Sequence, residues 1–160
     1  MFIGEGSQAR LIEILLELDK LQSEGGKTYP LWCRIKNLVT ELHWKTINYL
    51  IRNYDVIILP DFRVSQMVRG RKLGKMTKRL MMMYSFYSFK ERLDWKCRTH
   101  GKKLIIVDES FTSRTCGNCG VLNNIKGLET FNCKQCNISI DRDINGSRNI
   151  FIKNVIPRDT

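Results

Sequence analysis

Residues 116–136 read CGNCGVLNNIKGLETFNCKQC and contain two C-x-x-C pairs, Cys116 with Cys119 and Cys133 with Cys136. Each pair can bend into a turn that directs two thiolates to one point, and two such turns complete a tetrahedral shell. Soft thiolate ligands in a closed four-coordinate shell select zinc and leave no open position for catalysis. The spacing predicts a structural zinc ribbon; two disulfides or unligated thiols are the alternative.

Hydrophobic periodicity outside the ribbon predicts alternating helices and strands. Apolar residues at three- and four-residue steps indicate helices over 8–22, from Pro30 to about Asn53, over 76–99 and over 142–153. Runs rich in β-branched residues at 56–59 and 103–107 indicate two buried strands. The alternation favours an α/β sheet, and because two strands do not make an independent sheet, MFIG at residues 1–4 is a candidate edge strand.

The apolar faces of these helices are predicted to form the core. The side chains predicted to face inward are Leu11, Ile14, Leu15, Leu18, Leu21, Ile35, Leu38, Val39, Leu42, Tyr49, Leu80, Met83, Phe86, Tyr87, Phe89 and Leu93. Residues 63–75 contain two glycines without periodicity and are predicted to form a loop. The isolated Cys33 and Cys97 are predicted to be packing residues, and the two histidines to be packing or surface residues.

Charge is concentrated in one part of the chain. The net charge is +11, and residues 61–103 carry 13 Lys and Arg against 3 Asp and Glu. A small domain so basic favours a polyanionic partner, with nucleic acid first. The candidate phosphate contacts are Arg69, Arg71, Lys72, Lys75, Lys78 and Arg79, and a solvated helical face is the alternative. Tyr84 and Tyr87 are candidates for base stacking or, more simply, for packing.

Length and hydropathy exclude other classes. A chain of 160 residues is about one domain, so a single compact domain rather than a multidomain enzyme is expected. The sequence has neither an apolar run long enough to span a membrane nor a secretory signal at its start, so an intracellular protein is expected.

Two aspartates follow the ribbon in the segment DRDIN, residues 141–145. From spacing alone, Asp141 and Asp143 are equally suited to capping a helix and to binding a divalent metal, since magnesium sites are built from carboxylates.

At this point the sequence resembles a known family. The segments TSRTCGNCG (112–120), CKQC (133–136) and DRDINGSRNI (141–150) resemble the TnpB family of transposon-encoded RNA-guided nucleases. The stretches at 37–50, 54–69 and 84–117 are more similar to its eukaryotic and viral relatives, called Fanzor. The resemblance implies an incomplete RNase H-like, or RuvC-like, α/β domain with an inserted zinc ribbon. It divides the chain into 1–110 (partial RuvC-like domain), 111–140 (ribbon) and 141–160 (final helix and tail).

The family's nuclease needs three acids, and this sequence matches one. Asp143 corresponds to the acid of the final helix, and the acid of the first strand is expected upstream of Met1. The two positions where relatives carry the strand glutamate hold Pro60 and Arg63 here, and Asp61 offers the nearby carboxylate. An arginine at such a position repels the metal ions that the reaction uses.

Three hypotheses follow. The first is a transposase-derived zinc-ribbon DNA-binding protein without nuclease activity. The second is an active or complementable RuvC-like endonuclease, which would need magnesium. The third is a zinc-ribbon protein-interaction module. The expected cofactor is structural zinc, and the expected partner is DNA, with a guide RNA or a protein as further candidates. The expected location is the nucleus or cytoplasm of a eukaryotic host, without membrane attachment.

Overall fold

The computed structural model describes residues 4–62, 64–70, 73–108, 112–123 and 129–155. The chain combines helices with strands, so the predicted α/β class is confirmed. The elements are α1 (Ser7–Ser23), α2 (Tyr29–Asn53), β1 (Val56–Pro60), α3 (Val64–Arg69), α4 (Lys75–Met83), α5 (Phe86–Thr99), β2 (Lys103–Val107), β3 (Thr130–Asn132), β4 (Ser139–Asp141) and α6 (Arg142–Val155).

The chain divides into two compact units. The helical unit comprises Met1–Ile57 and Phe62–Leu104, and the ribbon unit comprises Ile58–Asp61 and Ile105–Thr160. The predicted division at residues 110 and 140 stays a prediction. Among the described residues, no helix is both long and apolar enough to cross a membrane.

Strands β1 and β2 pair with each other. The Lys103 amide donates to the Asp55 carbonyl and the Asp61 amide donates to the Val107 carbonyl. Since both bonds advance in the same direction along the two strands, the strands run parallel. The sheet has two strands within the part of the chain that the structure describes. Residues 1–3 of the candidate edge strand lie outside that part.

Two glycines end α1 and allow the chain to reverse into α2. Gly25 has a φ of 70°, in the left-handed region that glycine adopts without steric cost. The Gly26 amide donates to the Leu21 carbonyl at 2.8 Å, and the Gly25 amide donates to the Gln22 carbonyl at 3.3 Å. This pair of bonds satisfies carbonyls at the helix end. Pro30 then stands in the first turn of α2, where its missing N–H costs no hydrogen bond.

The buried face of α2 winds around the helix. Its buried residues recur every four positions: Leu31, Ile35, Val39, His43, Ile47 and Ile51. Each four-residue step turns the face by about 40°. The first three of these residues pack in one cluster with α1 and Leu80 of α4, and α2 also contacts α5. Tyr49 is left 37% exposed, so its prediction as a core residue is wrong.

The predicted helix over 76–99 is in fact two helices, α4 and α5. Ser85 separates them with a φ of 46°. The Tyr84 carbonyl accepts a hydrogen bond from Nε2 of His43 at 2.8 Å, so the helix break is satisfied by a side chain of α2. Leu80 and Leu93 are buried as predicted, but Tyr87 is 74% exposed and the prediction that it packs in the core is wrong.

The predicted loop over 63–75 contains the short helix α3 (Val64–Arg69). That helix has only 6 residues. Hydrophobic periodicity is detected over a window of at least about 11 residues, so it does not reveal so short a helix. The loop prediction is therefore wrong for this stretch.

His43 is buried and bonded through both ring nitrogens. Nε2 faces the Tyr84 carbonyl, and Nδ1 lies 2.8 Å from a guanidinium nitrogen of Arg92. Because a guanidinium can only donate, Nδ1 is the acceptor and the neutral ring carries its proton on Nε2. Burial lowers the pKa of His43 below 6.5, and the Arg92 charge lowers it further, against the opposing effect of the Tyr84 carbonyl.

We predict that His43 makes stability fall as the pH is lowered. With a depressed pKa in the folded state, the unfolded chain takes up the proton first as the pH drops through about 6.5. The free energy of unfolding should decrease between pH 7.5 and 5.5, by at most about 1.4 kcal/mol per pH unit from this group. His43→Gln keeps a donor for Tyr84 but cannot protonate, so the decrease should be smaller. Urea denaturation across this range measures it. His100→Gln is the control, and equal pH slopes in wild type and His43→Gln would contradict the prediction.

Candidate metal centre and nucleic-acid surface

The two cysteine pairs form turns of the same design. In the first, the Gly120 amide donates to the Cys116 carbonyl at 2.9 Å. In the second, the Asn137 amide donates to the Cys133 carbonyl at 3.0 Å. Gly120 and Asn137 occupy the same position after their cysteine pairs and have φ values of 76° and 56°. Glycine and asparagine tolerate this left-handed conformation, which explains these residue types here.

A short hairpin supports the second turn. Strands β3 and β4 run antiparallel, with Phe131 opposite Ile140. Phe131 is fully buried and packs with Cys116 and Cys133 in the small core of the ribbon. Because this core is so small, the ribbon depends on its sulfur atoms for much of its order.

The structure brings the four predicted ligands together. The sulfur atoms of Cys116, Cys119, Cys133 and Cys136 all lie within 4.8 Å of one another. The Cys116–Cys136 and Cys119–Cys133 Sγ distances are both 3.6 Å. A tetrahedral zinc–thiolate shell has sulfur atoms about 3.8 Å apart, from a Zn–S bond of about 2.3 Å. The cysteines are free thiols, so their geometry fits a metal ion such as zinc.

The thiols differ in their readiness to ionise. A hydrogen bond from the Cys136 backbone amide lowers the pKa of Cys133 to about 6, aided by the Asn123 side chain. The pKa of Cys119 is raised to about 12. The Val121 backbone favours its thiolate, but burial and the neighbouring sulfurs outweigh that effect. Four thiolates this close repel one another, so a cation is needed for all four to ionise.

Two asparagines of α6 dock this helix on the first cysteine turn. Asn145 Oδ1 accepts the Gly117 amide at 2.9 Å, and its Nδ2 donates to the Thr115 carbonyl at 2.8 Å. Asn149 Nδ2 donates to the Thr115 and Thr112 carbonyls at 2.7 and 2.9 Å. Sequence reasoning assigned no role to either residue. The signal was their four-residue spacing, which puts both amides on one helix face.

Gly117 allows this close approach. A Cβ at Gly117 would lie 3.2 Å from Oδ1 of both Asn145 and Asn149, and 3.1 Å from the Arg148 side chain. The equivalent position of the second turn holds Lys134. A side chain at Gly117 would therefore crowd α6, and its neighbours would have to shift by a few tenths of an ångström.

Asp141 and Asp143 play different roles. Asp141 Oδ1 accepts the amides of Asp143 and Ile144 at 2.8 and 3.0 Å and so caps α6. The Asp143 carboxylate is largely exposed and lies 3.3 Å from Nε of Arg142. Only Asp143 is therefore available as the metal ligand that the sequence suggested at this helix.

A surface cavity of about 350 Å³ lies beside Asp143. Among the described residues its charged lining residues are Asp143 and Arg142, and Pro60 of β1 lies in the same wall. Thr112, Ser113 and Ser147 contribute hydroxyl groups. Pro60, one of the two positions compared with the family's glutamate in the sequence analysis, thus reaches this cavity.

Asp61 does not line that cavity. Its backbone amide continues the pairing of β1 with β2 through the Val107 carbonyl. Arg63, the other position compared with the family's glutamate, lies outside the described residues.

The predicted phosphate-binding residues fall into three groups. Arg69 and Lys75 are exposed and Lys78 is half-buried, and in the described part of the chain none of them forms an ion pair. Arg79 forms an ion pair with Asp19 of α1 at 2.7 Å. Arg71 and Lys72 lie outside the described residues.

The two candidate stacking tyrosines also differ. Tyr84 packs against the helical core, as the simpler interpretation predicts. Tyr87 is exposed, so its ring is accessible.

Comparison with known proteins supports the resemblance. Residues 86–150 match the family model described as the Cas12f1-like TNB domain. A putative transposase of Paramecium bursaria Chlorella virus 1 is 36% identical over 115 residues, covering 69% of this chain and 25% of that protein. A TnpB-like protein of Acanthamoeba polyphaga mimivirus is 29% identical over 119 residues, covering 73% of this chain and 23% of that protein. The chain thus spans about a quarter of these relatives.

A solved structure shows the same fold. A chain from a cryo-EM structure of a Cas12f1–sgRNA–target DNA complex aligns with a TM-score of 0.62 and 20% identity, over 86% of this chain and 39% of that chain. Descriptions of the relatives name TnpB and transposases, so the finer assignment to Fanzor stays a prediction. With its ribbon cysteines clustered as the motifs predict, this chain is a relative of the TnpB family, with TnpB-like and transposase homologues in giant viruses.

Proposed function

We propose that the chain is a zinc-ribbon nucleic-acid-binding protein, derived from a TnpB-type transposon protein, that does not cleave nucleic acid by itself. The proposed absence of nuclease activity rests on the residues that line the cavity beside Asp143. Among the described residues, the lining of this cavity contains one carboxylate, paired with Arg142, where the family's reaction needs several.

The chemistry of phosphodiester hydrolysis explains why one carboxylate is too few. Two divalent cations about 4 Å apart repel each other and need several shared carboxylates to hold them. At this cavity the Arg142 guanidinium lies next to Asp143, and Pro60 offers no ligand atom. The described lining of the Asp143 cavity therefore supplies too few carboxylates to hold either of the two metal ions.

The metal part of the proposal assigns Cys116, Cys119, Cys133 and Cys136 as ligands of one structural zinc. Bound zinc would neutralise the four thiolates and supply folding energy to the ribbon. Asn123 supports the site, since its Nδ2 lies 3.5 Å from Cys133 Sγ and its Oδ1 accepts the Lys134 amide at 3.3 Å.

The binding part of the proposal assigns the surface formed by Arg69, Lys75 and Lys78 to phosphate contacts. Their charges are not neutralised by carboxylates among the described residues, whereas Arg79, Arg98 and Lys102 have acidic partners. Cations without partners can neutralise phosphates and release counterions. The sgRNA and target DNA in the Cas12f1 structure support nucleic acid as the partner class.

A second candidate function is an endonuclease completed by acids from outside these residues. It is favoured by a Streptomyces pristinaespiralis relative, described as a putative RNA-guided DNA endonuclease, of which the chain covers 25%. A further arm of the cleavage experiment below, with the remainder of such a relative added in trans, distinguishes the two candidates, because cleavage that Asp143→Ala abolishes would favour the endonuclease.

We predict about one zinc ion per chain after purification without chelator. Cys133→Ser should lose the metal, because three thiolates cannot close the shell. Cys33→Ser is the matched control, since Cys33 lies in α2, outside the ribbon. Elemental analysis measures the stoichiometry. Less than about 0.3 zinc in the wild type, or full zinc in Cys133→Ser, would refute the ribbon assignment.

We predict nucleic-acid binding with little sequence preference and a steep salt dependence. Replacing Arg69, Lys75 and Lys78 together by Ala should reduce the slope of log K against log salt by about 2 to 3, at roughly 0.9 per lost phosphate contact. Replacing Lys20, Lys27 and Lys36 by Ala removes the same charge elsewhere on the helical unit and should have a smaller effect. Fluorescence anisotropy at several salt concentrations measures the slopes. Equal slopes for the two triple variants would shift support to the protein-interaction hypothesis.

We predict no cleavage of single- or double-stranded DNA or of RNA with magnesium or manganese. The wild type and Asp143→Ala should behave alike in a cleavage time course, because one carboxylate does not hold two metals. Metal-dependent cleavage that Asp143→Ala abolishes would contradict the prediction and indicate that other acids complete the site.

A further inference from the structure

The hydrogen bonds on the buried face of α6 end on the backbone around Cys116. Asn145 is 2% exposed and binds the Gly117 amide and the Thr115 carbonyl, one residue to each side of that cysteine. Asn149 is 6% exposed and shares the Thr115 carbonyl. A buried amide side chain is costly without partners, so these bonds hold only while the turn keeps its shape.

We infer that Asn145 and Asn149 make the position of α6 depend on the metal state of the four-cysteine site. The inference rests on the metal-binding part of the proposed function. A metal bound to Cys116 fixes the backbone of residues 115–117, and therefore the two groups that Asn145 binds. Without a metal nothing links Cys116 to the other three sulfurs, so the backbone of residues 115–117 is held less firmly and the two asparagines lose partners of fixed position.

Asp143 is the group whose position changes as a result. It lies in the first turn of α6, two residues before Asn145, and lines the cavity beside Pro60. The helix itself stays attached, since Asp141 caps its start and Lys153 binds Asp108 at 2.8 Å near its end. Metal loss should therefore displace and loosen α6 without unfolding it. In this arrangement Asn145 is a positioning residue for the cavity.

The coupling must work in both directions. If the metal strengthens docking of α6 by some factor, docking of α6 strengthens metal binding by the same factor. Residues that orient metal ligands typically change metal affinity by about 10- to 100-fold when they are removed. Asn145 forms hydrogen bonds to the residues on both sides of Cys116. We therefore expect Asn145→Ala to lower the zinc affinity by a factor within this range.

The test uses the full chain with Asn145→Ala, and Asn154→Ala as the matched control. Asn154 lies on the same helix, and its side chain bonds within that helix to the Ile150 carbonyl, its one hydrogen-bond partner among the described residues. Zinc affinity is measured by competition with a chromophoric chelator, and hydrogen–deuterium exchange is followed in peptides from 142–155 with zinc and after chelation. In the wild type and Asn154→Ala, chelation should accelerate exchange in α6. In Asn145→Ala, zinc affinity should fall about 10- to 100-fold, and α6 should exchange rapidly even with zinc bound.

Exchange in zinc-loaded β3 peptides shows whether the ribbon unit of each variant is folded, since Phe131 of β3 is fully buried. Should Asn145→Ala fail this check, Asn149→Ala serves as the second variant, because it removes only the bonds to Thr112 and Thr115. Unchanged α6 exchange on chelation of zinc-loaded wild type, or wild-type zinc affinity in both variants, would overturn the inference alone. A wild type that binds no zinc would overturn the metal site and the inference together.

Discussion

Four sulfur atoms within 4.8 Å of one another are the constraint on which the ribbon unit depends. Packed this closely, thiols either share protons unequally, as the opposite pKa changes of Cys119 and Cys133 show, or ionise together around a cation. The same sulfurs fix two turns whose backbones support β3, β4 and α6. A small apolar core around Phe131 would not position these elements by itself.

The helical unit relies on a different device, a buried polar residue at a helix junction. His43 satisfies the carbonyl that the break at Ser85 exposes and accepts a bond from Arg92 in return. Burial of the ring is tolerated because both nitrogens are bonded. These bonds stabilise the junction between α4 and α5, so the chain forms two helices here instead of one continuous helix.

Local patterns predicted what local physics determines. The cysteine spacing and the apolar steps of α1 each act within a few residues, so the sequence sufficed to predict the cluster of four cysteines and the first helix. Features set by tertiary contacts could not be predicted. Tyr49 is exposed because α2 changes partners along its length, and the break at Ser85 depends on a histidine 42 residues away in the chain. The roles of Asn145 and Asn149 became visible only once α6 was seen against the first turn.

Gly117 limits how freely the ribbon can be exchanged between proteins. The two cysteine turns have the same backbone design, but the second carries a side chain, Lys134, where the first has Gly117. In a ribbon transplanted from an unrelated protein, a side chain at this position would lie 3.1 to 3.2 Å from Arg148 and the two asparagines of α6, so these neighbours would have to shift by a few tenths of an ångström. In protein engineering, the ribbon and α6 should therefore be grafted or replaced together as one unit.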